Sequence, residues 1–423
     1  MISIITPVHK LSQPYLTDAY NSLQTQTFTD WEWIILKNGG GTVPKTIKTN
    51  KKVNVFSIKD DDPTGKHNNI GRLKKYAASK IKGEIIVELD ADDILLPTAL
   101  EKINSAFQNP KIAMVYSNDA EFKDKTWESS AYSNYWGWRH RSFFHQGHEL
   151  KEMIAWKPGP HMMRRIEWAP NHVRAWRTTA YNAIGGHNEK LKTGDDHEFN
   201  CRFYIEYGAQ GLKHIDECLY LYRVHDGNSC RLYNNDVQSQ TLQNYLKFSR
   251  ALAVRWAKDK NLRLVDLGGR LNAWKDFETV DLFDADIITD LEKPFPFEDN
   301  SVGIIRASHV FEHLHDPVHT MNEAYRILAP GGWLFIEVPS TDGRGAFQDP
   351  NHVSFWNENS IWYYINRDYA RYIPKYKGRF QNSRTITYFP TDFEKEHNIP
   401  IVQSDLICLK DPYDKRPVGE ILI

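Results

Sequence analysis

Three aspartates follow a short apolar run early in the chain, and their spacing indicates a metal site. The branched apolar run 85–87 is typical of a buried strand, and Asp90, Asp92 and Asp93 come soon after it. Carboxylates this close repel one another unless a hard divalent cation lies between them. Ligands of open α/β sheets bind beyond the carboxyl ends of the strands. We therefore predict a divalent metal site here. The alternative is that one aspartate caps a helix over 95–107.

The pattern around this stretch alternates between strands and helices, which predicts an α/β fold with a parallel sheet. The predicted strands are 2–8, 31–36, 53–58 and 85–87, and the predicted helices are 14–26 and 69–80.

Length and composition limit the possible number of domains, the binding partners and the cellular setting. A chain of 423 residues exceeds one ordinary core, so we expect at least two domains. The 53 basic and 54 acidic residues balance, which gives no bulk attraction to nucleic acid or membrane. The four cysteines show no CxxC spacing, so we expect a reduced, cytoplasmic setting. No apolar run is long enough to predict a transmembrane helix.

Several segments occur in an order that resembles family 2 glycosyltransferases with the GT-A fold, over residues 1–230. They are Ser3-Ile4-Ile5-Thr6-Pro7, the run 22–32, Asn69-Ile70-Gly71 and Leu89-Asp90-Ala91-Asp92-Asp93. The resemblance implies inverting sugar transfer from a nucleotide-sugar to an acceptor hydroxyl. It also implies Mg²⁺ or Mn²⁺, which would bridge the diphosphate to Asp90 and Asp92. The residues that it assigns to the nucleotide-sugar are Thr6, Pro7, Val8, Asn38, Asn69, Asp90, Ala91 and Asp92.

One segment departs from the family. Lys37-Asn38-Gly39-Gly40 stands where the family usually has Asp-Asp-Gly-Ser. Asn38 offers both a donor and an acceptor to a base edge, so the nucleotide is not specified as UDP.

Two later segments complete the resemblance. Residues 185–198 resemble the family's Gly-Gly-Phe-Asp-Glu segment and acidic pair, which implies Asp196 as catalytic base, with Asp195 supporting and Glu198 as an alternative. An aspartate pair that only caps a helix over 197–207 is the structural interpretation. Residues 222–229 resemble the closing Tyr-Arg-x-His motif, which makes His225 a candidate third metal ligand.

The region from Trp127 to Arg177 is dense in Trp, Tyr, Arg and His. It predicts either an acceptor cleft of rings and basic groups or a partly buried element whose arginines pair with local carboxylates. A nucleic-acid acceptor is a minor alternative.

The second half has a strand over 263–267, a glycine pair and a second strand that ends in Asp281. With Asp290-Leu291, the run 308–314 and the run 326–334, this resembles class I S-adenosylmethionine-dependent methyltransferases over 262–340. The resemblance implies a Rossmann-like domain. It places Gly268 at the methionine, Asp281 at the ribose and Asp290 and Leu291 at the adenine, and it makes Ser308 a further cofactor contact.

Two features of this second half differ from a full cofactor site. The glycine loop is short, and Arg270 and Trp274 crowd the place of the cofactor's tail. We interpret the segment with His309, Glu312 and His313 as a structural signature and not as a metal site. His352 is either a loop-fixing residue or a general base toward an acceptor hydroxyl.

Together these observations predict a GT-A domain over 1–235, a linker helix over 236–261 and a methyltransferase-like domain over 262–423. The expected function is metal-dependent transfer of a sugar to a glycan or other hydroxyl-bearing acceptor, followed by methylation of the glycan. One alternative makes the second domain a non-catalytic scaffold or acceptor-binding module. Another makes the acceptor a hydroxymethylated DNA base.

Overall fold

The computed structural model describes residues 1–58, 69–133, 137–164 and 170–410. The chain forms two compact units, one over Met1–Leu252 and a second from Ala253 onward. The boundary falls within a long helix, Asn234–Asp259. Among the described residues, no helix is both long and apolar enough to cross a membrane.

The first unit is built on a ten-stranded sheet. Its strands are β1 (Ile2–Val8), β2 (Trp31–Lys37), β3 (Val53–Ser57), β4 (Ile85–Glu88), β5 (Ile94–Leu95), β6 (Met114–Lys123), β7 (His140–His145), β8 (His148–Met153), β9 (Arg174–Arg177) and β10 (Leu212–Val224). The helices are α1 (Leu16–Gln24), α2 (Lys45–Lys48), α3 (Ile70–Ala78), α4 (Ala99–Ala106), α5 (Pro160–Met163), α6 (Thr178–Ala183), α7 (Asp195–Tyr207), α8 (Ser229–Leu232) and α9 (Asn234–Asp259).

The central strands are parallel and buried on both faces. The order β3-β2-β1-β4 continues through β9, β6, β10 and β5, and β9 is antiparallel to both of its neighbours. Ile4 of β1 packs into the core on one face, while Ile5 packs into the core on the other. Strands covered on both faces carry continuous apolar runs, which is why β1, β2 and β4 were recognisable from the sequence.

The helix predicted after the aspartates begins later in the structure than in the prediction. The predicted helix over 95–107 begins only at Ala99, with Thr98 at its N-cap position, and Ile94–Leu95 pairs with β10 as β5. The interpretation of the preceding aspartates as helix caps is therefore wrong.

The second unit contains a seven-stranded sheet in the order β13-β12-β11-β14-β15-β17-β16. Its strands are β11 (Arg263–Leu267), β12 (Glu278–Asp281), β13 (Ile287–Ile288), β14 (Val302–Ser308), β15 (Leu328–Pro339), β16 (Phe380–Tyr388) and β17 (Ile401–Cys408). The helices are α10 (Pro317–Ile327), α11 (Gly345–Gln348), α12 (Glu358–Ile365), α13 (Arg367–Ala370) and α14 (Asp392–Glu396).

The first five strands of this sheet follow the 3-2-1-4-5 order of a Rossmann-like fold and are parallel, while β17 runs antiparallel to β15 and β16. The predicted α/β class, a GT-A domain followed by a Rossmann-like domain, is confirmed. The connection from β11 to β12, residues 268–277, consists of turns without a helix. Residues 411–423 of the tail lie outside the described residues.

A buried hydroxyl joins the strands that lead to the candidate site. Thr6 Oγ1 donates to the carbonyl of Leu89 at 2.7 Å and accepts from Trp33 Nε1 at 2.8 Å. Both Thr6 and Trp33 are fully buried.

We therefore expect Thr6→Val to destabilise the first unit by about 2–4 kcal/mol, because it leaves a buried donor and a buried acceptor without partners. Urea unfolding followed by tryptophan fluorescence measures this change. Thr49→Val, which removes an exposed hydroxyl, should change the unfolding free energy by less than about 0.5 kcal/mol. Equal effects of the two substitutions would contradict the assigned role of Thr6.

Candidate active site

The aspartate loop after β4 meets the end of β10 through a carboxylate–imidazole contact. Asp92 Oδ2 lies 2.8 Å from His225 Nε2. The other ring nitrogen, Nδ1, accepts a hydrogen bond from the amide of Gly227 at 3.0 Å. In this arrangement the neutral ring carries its proton on Nε2, directed at Asp92. Residues 133 positions apart in the sequence thus form one side of the site.

Asp93 has a different partner set. Its carboxylate accepts from the Tyr220 hydroxyl at 2.7 Å and from the Arg223 amide at 2.7 Å. Burial, together with Asp92 and Asp90, holds the pKa of Asp93 well above its usual value. Asp93 thereby fastens the aspartate loop to β10.

Asp90 precedes Asp92 and Asp93 in the aspartate loop. Its amide donates to the Tyr220 hydroxyl at 3.1 Å. Burial raises the pKa of the Asp90 carboxyl to about 7, with Glu88 and Asp92 adding to the rise and Lys74 opposing it. A cation bound nearby would favour the ionised form.

The residues on this side fit a divalent cation in part. The 2.8 Å between Asp92 Oδ2 and His225 Nε2 is a hydrogen bond in this arrangement, so His225 could bind a cation through Nε2 only after its proton moves to Nδ1 and the hydrogen bond from the Gly227 amide is lost. Asp90, Asp92 and His225 do not, however, form a ready group of three: among the described residues, ligand atoms within 4.8 Å of one another occur only in Glu312, His313 and His352. Asp92 and His225 are therefore the assembled pair, and Asp90 adds a carboxylate beside them.

Beneath the aspartate loop lies a buried network of charged side chains. Glu88, the last residue of β4, forms ion pairs with Lys74 of α3 and, at 3.1 Å, with Arg174 of β9. All three are at most 5% exposed. Although burial opposes ionisation, Lys74 and Arg174 hold the pKa of Glu88 well below its usual value. We refer to Lys74, Glu88 and Arg174 as the charge network.

The charge network continues to the acidic pair at the start of α7. Arg174 Nη1 lies 3.0 Å from Asp196 Oδ2, and Lys74 Nζ lies 3.7 Å from Asp195 Oδ2. Burial opposes ionisation of Asp196, but Arg174 and Lys74 prevail and lower its pKa to about 2. For Asp195, burial dominates and raises the pKa to about 6.

Exposure separates these two acids. The side chain of Asp196 is 31% exposed, whereas that of Asp195 is 4% exposed. An acceptor hydroxyl must come within hydrogen-bond reach of its base, so geometry takes precedence over pKa. Glu198, the alternative from the sequence, is paired with Arg202 at 2.8 Å and is buried.

Asn38 and Asn69 occupy different environments. Asn38 is 5% exposed, and its side-chain oxygen has no hydrogen-bond partner. Asn69 caps α3 by accepting from the Arg72 amide and donates to the carbonyl of Glu189. Gly71 then permits close packing, since a Cβ there would lie 2.4 Å from the Asn188 carbonyl oxygen. The Asn-Ile-Gly motif thus holds α3, which carries Lys74, against the segment that leads into α7.

The side chains of the remaining residues predicted at the nucleotide-sugar are mostly buried or hydrogen-bonded within the protein. The Thr6 hydroxyl is used within the protein, Val8 and Ala91 are buried, and Pro7 is partly exposed. Asn38 is therefore the one among the predicted non-acidic contacts whose described side chain retains an unused polar atom.

The Trp127–Arg177 region agrees better with a partly buried element whose arginines pair with carboxylates than with an acceptor cleft. Arg141 makes a bidentate contact with Glu152, at 2.7 Å for both bonds, and Arg174 belongs to the charge network. Arg177 donates to backbone carbonyls, including that of Phe107. Part of the region, residues 134–136 and 165–169, lies outside the described residues.

Sequence reasoning did not identify the charge network. Lys74 was treated as part of a helix, and Arg174 as one of many basic residues. The available signal was Glu88, an acidic residue at the end of an apolar strand that would need a buried partner.

In the second unit, Gly268 adopts φ +67°, and a Cβ there would lie 2.3 Å from Val310 Cγ2. Asp281 accepts from the Leu282 amide, Asp290 accepts from the Glu292 amide, and Leu291 is buried. Ser308 donates to Glu337 at 3.2 Å. These residues lie at the carboxyl ends of β11, β12, β13 and β14 or in the following loops, where a Rossmann-like sheet binds its ligand.

The glycine loop itself is tied to its own strand. Asp266 is buried and accepts from Arg306 Nη1 at 2.7 Å and from the Trp274 amide at 3.0 Å. The Arg306 guanidinium lies 5.3 Å from the centre of the Trp274 ring. Of the two residues that were predicted to crowd the cofactor's tail, Arg270 is exposed and Trp274 is packed against Arg306.

Comparisons with known proteins agree with this division. Residues 3–171 match the family model "Glycosyl transferase family 2", and residues 249–336 match the model "Methyltransferase domain". The O-antigen biosynthesis protein RfbC of Myxococcus xanthus is 24% identical over 52% of this chain and 16% of its own length. The O-antigen biosynthesis glycosyltransferase WbnJ of Escherichia coli is 33% identical over 24% of this chain and 39% of its own length.

Two further matches have broader coverage of this chain. The chondroitin synthase of Pasteurella multocida is 25% identical over 57% of the chain and 22% of its own length. The S. aureus TarS structure in complex with UDP-GlcNAc is 15% identical, with a TM-score of 0.41, over 59% of this chain and 73% of that one. The matched part of this chain thus spans well under half of each curated relative's length. From the two family matches, we conclude that the chain joins a domain of the family 2 glycosyltransferases to a C-terminal methyltransferase domain.

Proposed function

We propose that the first domain is an inverting, metal-dependent glycosyltransferase that moves a sugar from a nucleotide-sugar to an acceptor hydroxyl. The observation that carries the proposal is the charge network, which connects β4 and its aspartate loop to Asp196. Asp92 and His225 lie on the donor side, and Asp196 lies on the acceptor side. A displacement with inversion requires groups that act on two opposite faces of the sugar.

On the donor side, Asp92 would hold Mg²⁺ or Mn²⁺ with Asp90 beside it, and His225 would join them once its proton has moved from Nε2 to Nδ1. A bound cation of this kind stabilises the negative charge that develops on a leaving diphosphate. The unpaired oxygen of Asn38, at the end of β2, suits a donor group on a base edge. Asp93, Tyr220 and Arg223 keep the aspartate loop in place.

On the acceptor side, Asp196 accepts the proton of the attacking hydroxyl. Arg174 keeps Asp196 ionised and fixes one of its oxygens. A pKa near 2 makes a carboxylate a weak base, so its contribution depends on its position and on proton transfer late in bond formation. Asp195 has a pKa closer to neutrality but is enclosed, with Lys74 as its charged neighbour.

A glycan is the proposed acceptor. Among the relatives are proteins named for O-antigen biosynthesis and chondroitin synthesis. The balanced charge of the chain and the pairing of Arg141 and Arg174 with carboxylates favour a glycan over nucleic acid.

The donor and the metal are tested together by a screen of nucleotide-sugars for nucleotide release with Mn²⁺. We expect Asp92→Ala to lower release of the preferred nucleotide by about 100-fold or more, because the charge on the leaving group loses its stabilisation. Asp226→Ala changes an exposed residue next to His225 and should retain wild-type rates. Unchanged release by Asp92→Ala would overturn the metal assignment.

The base is tested by comparing Asp196→Asn with Asp195→Asn, which remove one charge each at adjacent positions. Asp196→Asn should lower kcat for sugar transfer by about 10²–10⁴-fold and leave donor binding intact. Asp195→Asn should cost far less, since its side chain is enclosed. The reverse order of effects would assign the base to Asp195. Steady-state kinetics with a saturating donor and thermal melts of both variants provide the measurements.

For the second domain, the proposal is methylation of the product glycan, and one observation favours a non-catalytic alternative. The connection after β11 lacks a helix, and Trp274 is packed over Arg306 there. In this fold, the connection after the first strand normally leads into a helix, and the N-terminus of that helix faces the cofactor.

Calorimetric titration of the full chain with S-adenosylmethionine decides between the two. Methylation requires saturable binding, and Asp281→Ala should weaken that binding at least tenfold because Asp281 would accept from the ribose hydroxyls. Asp284→Ala, in the following turn, is the matched control. An absence of binding at millimolar cofactor would leave the domain as a scaffold or acceptor-binding module.

A further inference from the structure

Three side chains in the second unit, which the sequence alone did not indicate as a metal site, form a cluster of potential ligands. Glu312 and His313 belong to the 3-10 helix Phe311–His313, which follows β14, and His352 lies in the loop after α11. One potential ligand atom from each residue lies within 4.8 Å of those from the other two. We refer to these three residues as the Glu312 site.

The two histidines are oriented as metal ligands are. His313 Nδ1 lies 3.1 Å from the carbonyl oxygen of Asn351, and His352 Nδ1 lies 2.9 Å from that of Ala346. A carbonyl only accepts, so each Nδ1 carries the proton, and each neutral ring presents the lone pair of Nε2. Metal-binding histidines show this pattern, in which the second ring nitrogen donates to a carbonyl or carboxylate.

Glu312 supplies a buried carboxylate that lacks hydrogen bonds. Its side chain is 3% exposed, and neither oxygen has a hydrogen-bond partner. His309 Nδ1 lies 3.3 Å from Glu312 Oε1, and this contact is an ion pair only when His309 is protonated. Burying a carboxylate without hydrogen bonds is costly unless a counter-charge accompanies it. A half-exposed histidine offsets that cost only when it is protonated.

The backbone holds the two parts of the site together. The carbonyl of Glu312 accepts from the amides of Val353 and Ser354 at 2.8 and 3.0 Å, and the Ser354 hydroxyl donates to the Phe311 carbonyl at 2.7 Å. The loop that carries His352 is therefore fastened to the 3-10 helix before any ion binds. Ligands of tetrahedral Zn²⁺ are about 3.3 Å apart, so the ligand atoms, which lie within 4.8 Å of one another, must move closer by at most about 1.5 Å to bind one ion.

From these observations we propose that Glu312, His313 and His352 bind one divalent transition-metal ion of the Zn²⁺ class. Two imidazoles and one carboxylate favour such an ion over Mg²⁺ or Ca²⁺, which prefer oxygen ligands. Three protein ligands leave at least one position for water or for an oxygen of a bound substrate. The site lies beyond the carboxyl end of β14, at the edge where this sheet binds its ligands.

Zinc content and affinity of the full-length protein test the proposal. The chain is stripped with a chelator, incubated with Zn²⁺, gel-filtered and assayed for bound metal, with calorimetry for the affinity and Co²⁺ absorption for nitrogen ligation. We expect Glu312→Gln and His352→Gln each to lose one equivalent of Zn²⁺ or at least tenfold in affinity. His315→Gln, an exposed histidine of the neighbouring turn, should bind as the wild type does.

Two further comparisons keep the result specific. Asp92→Ala should retain the equivalent that Glu312→Gln loses, which separates this site from the one proposed in the first domain. Zn²⁺ should raise the Tm of the second unit's transition in the wild type but not in Glu312→Gln. Equal zinc content and equal Tm shifts in the wild type and Glu312→Gln would overturn the proposal. They would leave Glu312 as the partner of a protonated His309.

Discussion

The ion pairs of Glu88 with Lys74 and Arg174 are the interaction on which the first domain's site depends. They join α3, β4 and β9, and Arg174 and Lys74 extend them to the acidic pair of α7. Charges buried this deeply are stable only as a complete set, and loss of one partner typically costs about 3–5 kcal/mol. The network therefore fixes the distance between the aspartate loop and Asp196 while it also sets the charge of Asp196.

The same arrangement explains why adjacent acids have different properties. Asp195 and Asp196 are neighbours in sequence, yet the pKa of one is raised to about 6 and that of the other is lowered to about 2. Arg174 forms an ion pair with Asp196, whereas the ion-pair contact of Asp195 is with Lys74. Asp92 and Asp93 differ in a similar way: Asp92 faces His225, whereas Asp93 is enclosed by Tyr220 and the Arg223 amide. In each pair, one acid is available to a ligand and the other supports the fold.

The second domain retains the sheet of a methyltransferase but modifies its first connection. Asp266, Arg306 and Trp274 form a packed group at the glycine turn, in a connection that has no helix. The Glu312 site lies on the next strand along, after β14. The strand ends of this sheet thus present two separate sets of polar residues, one around Gly268 and Asp281 and one around Glu312.

Local pattern and motifs in a fixed order were enough to predict the two α/β domains and the strands of both sheets that carry continuous apolar runs. The same motifs named the aspartates, Asp196 and His225 as candidate site residues. The sequence by itself did not determine where the helix after the aspartates begins, since Ile94 and Leu95 form a strand only by pairing with β10. The charge network and the Glu312 site were decided by tertiary structure alone. Lys74, Glu88 and Arg174 come from three separate elements, and His352 is 39 residues from His313 in a different loop. Contacts between distant residues depend on how strands and loops pack, and neither periodicity nor local spacing records that packing.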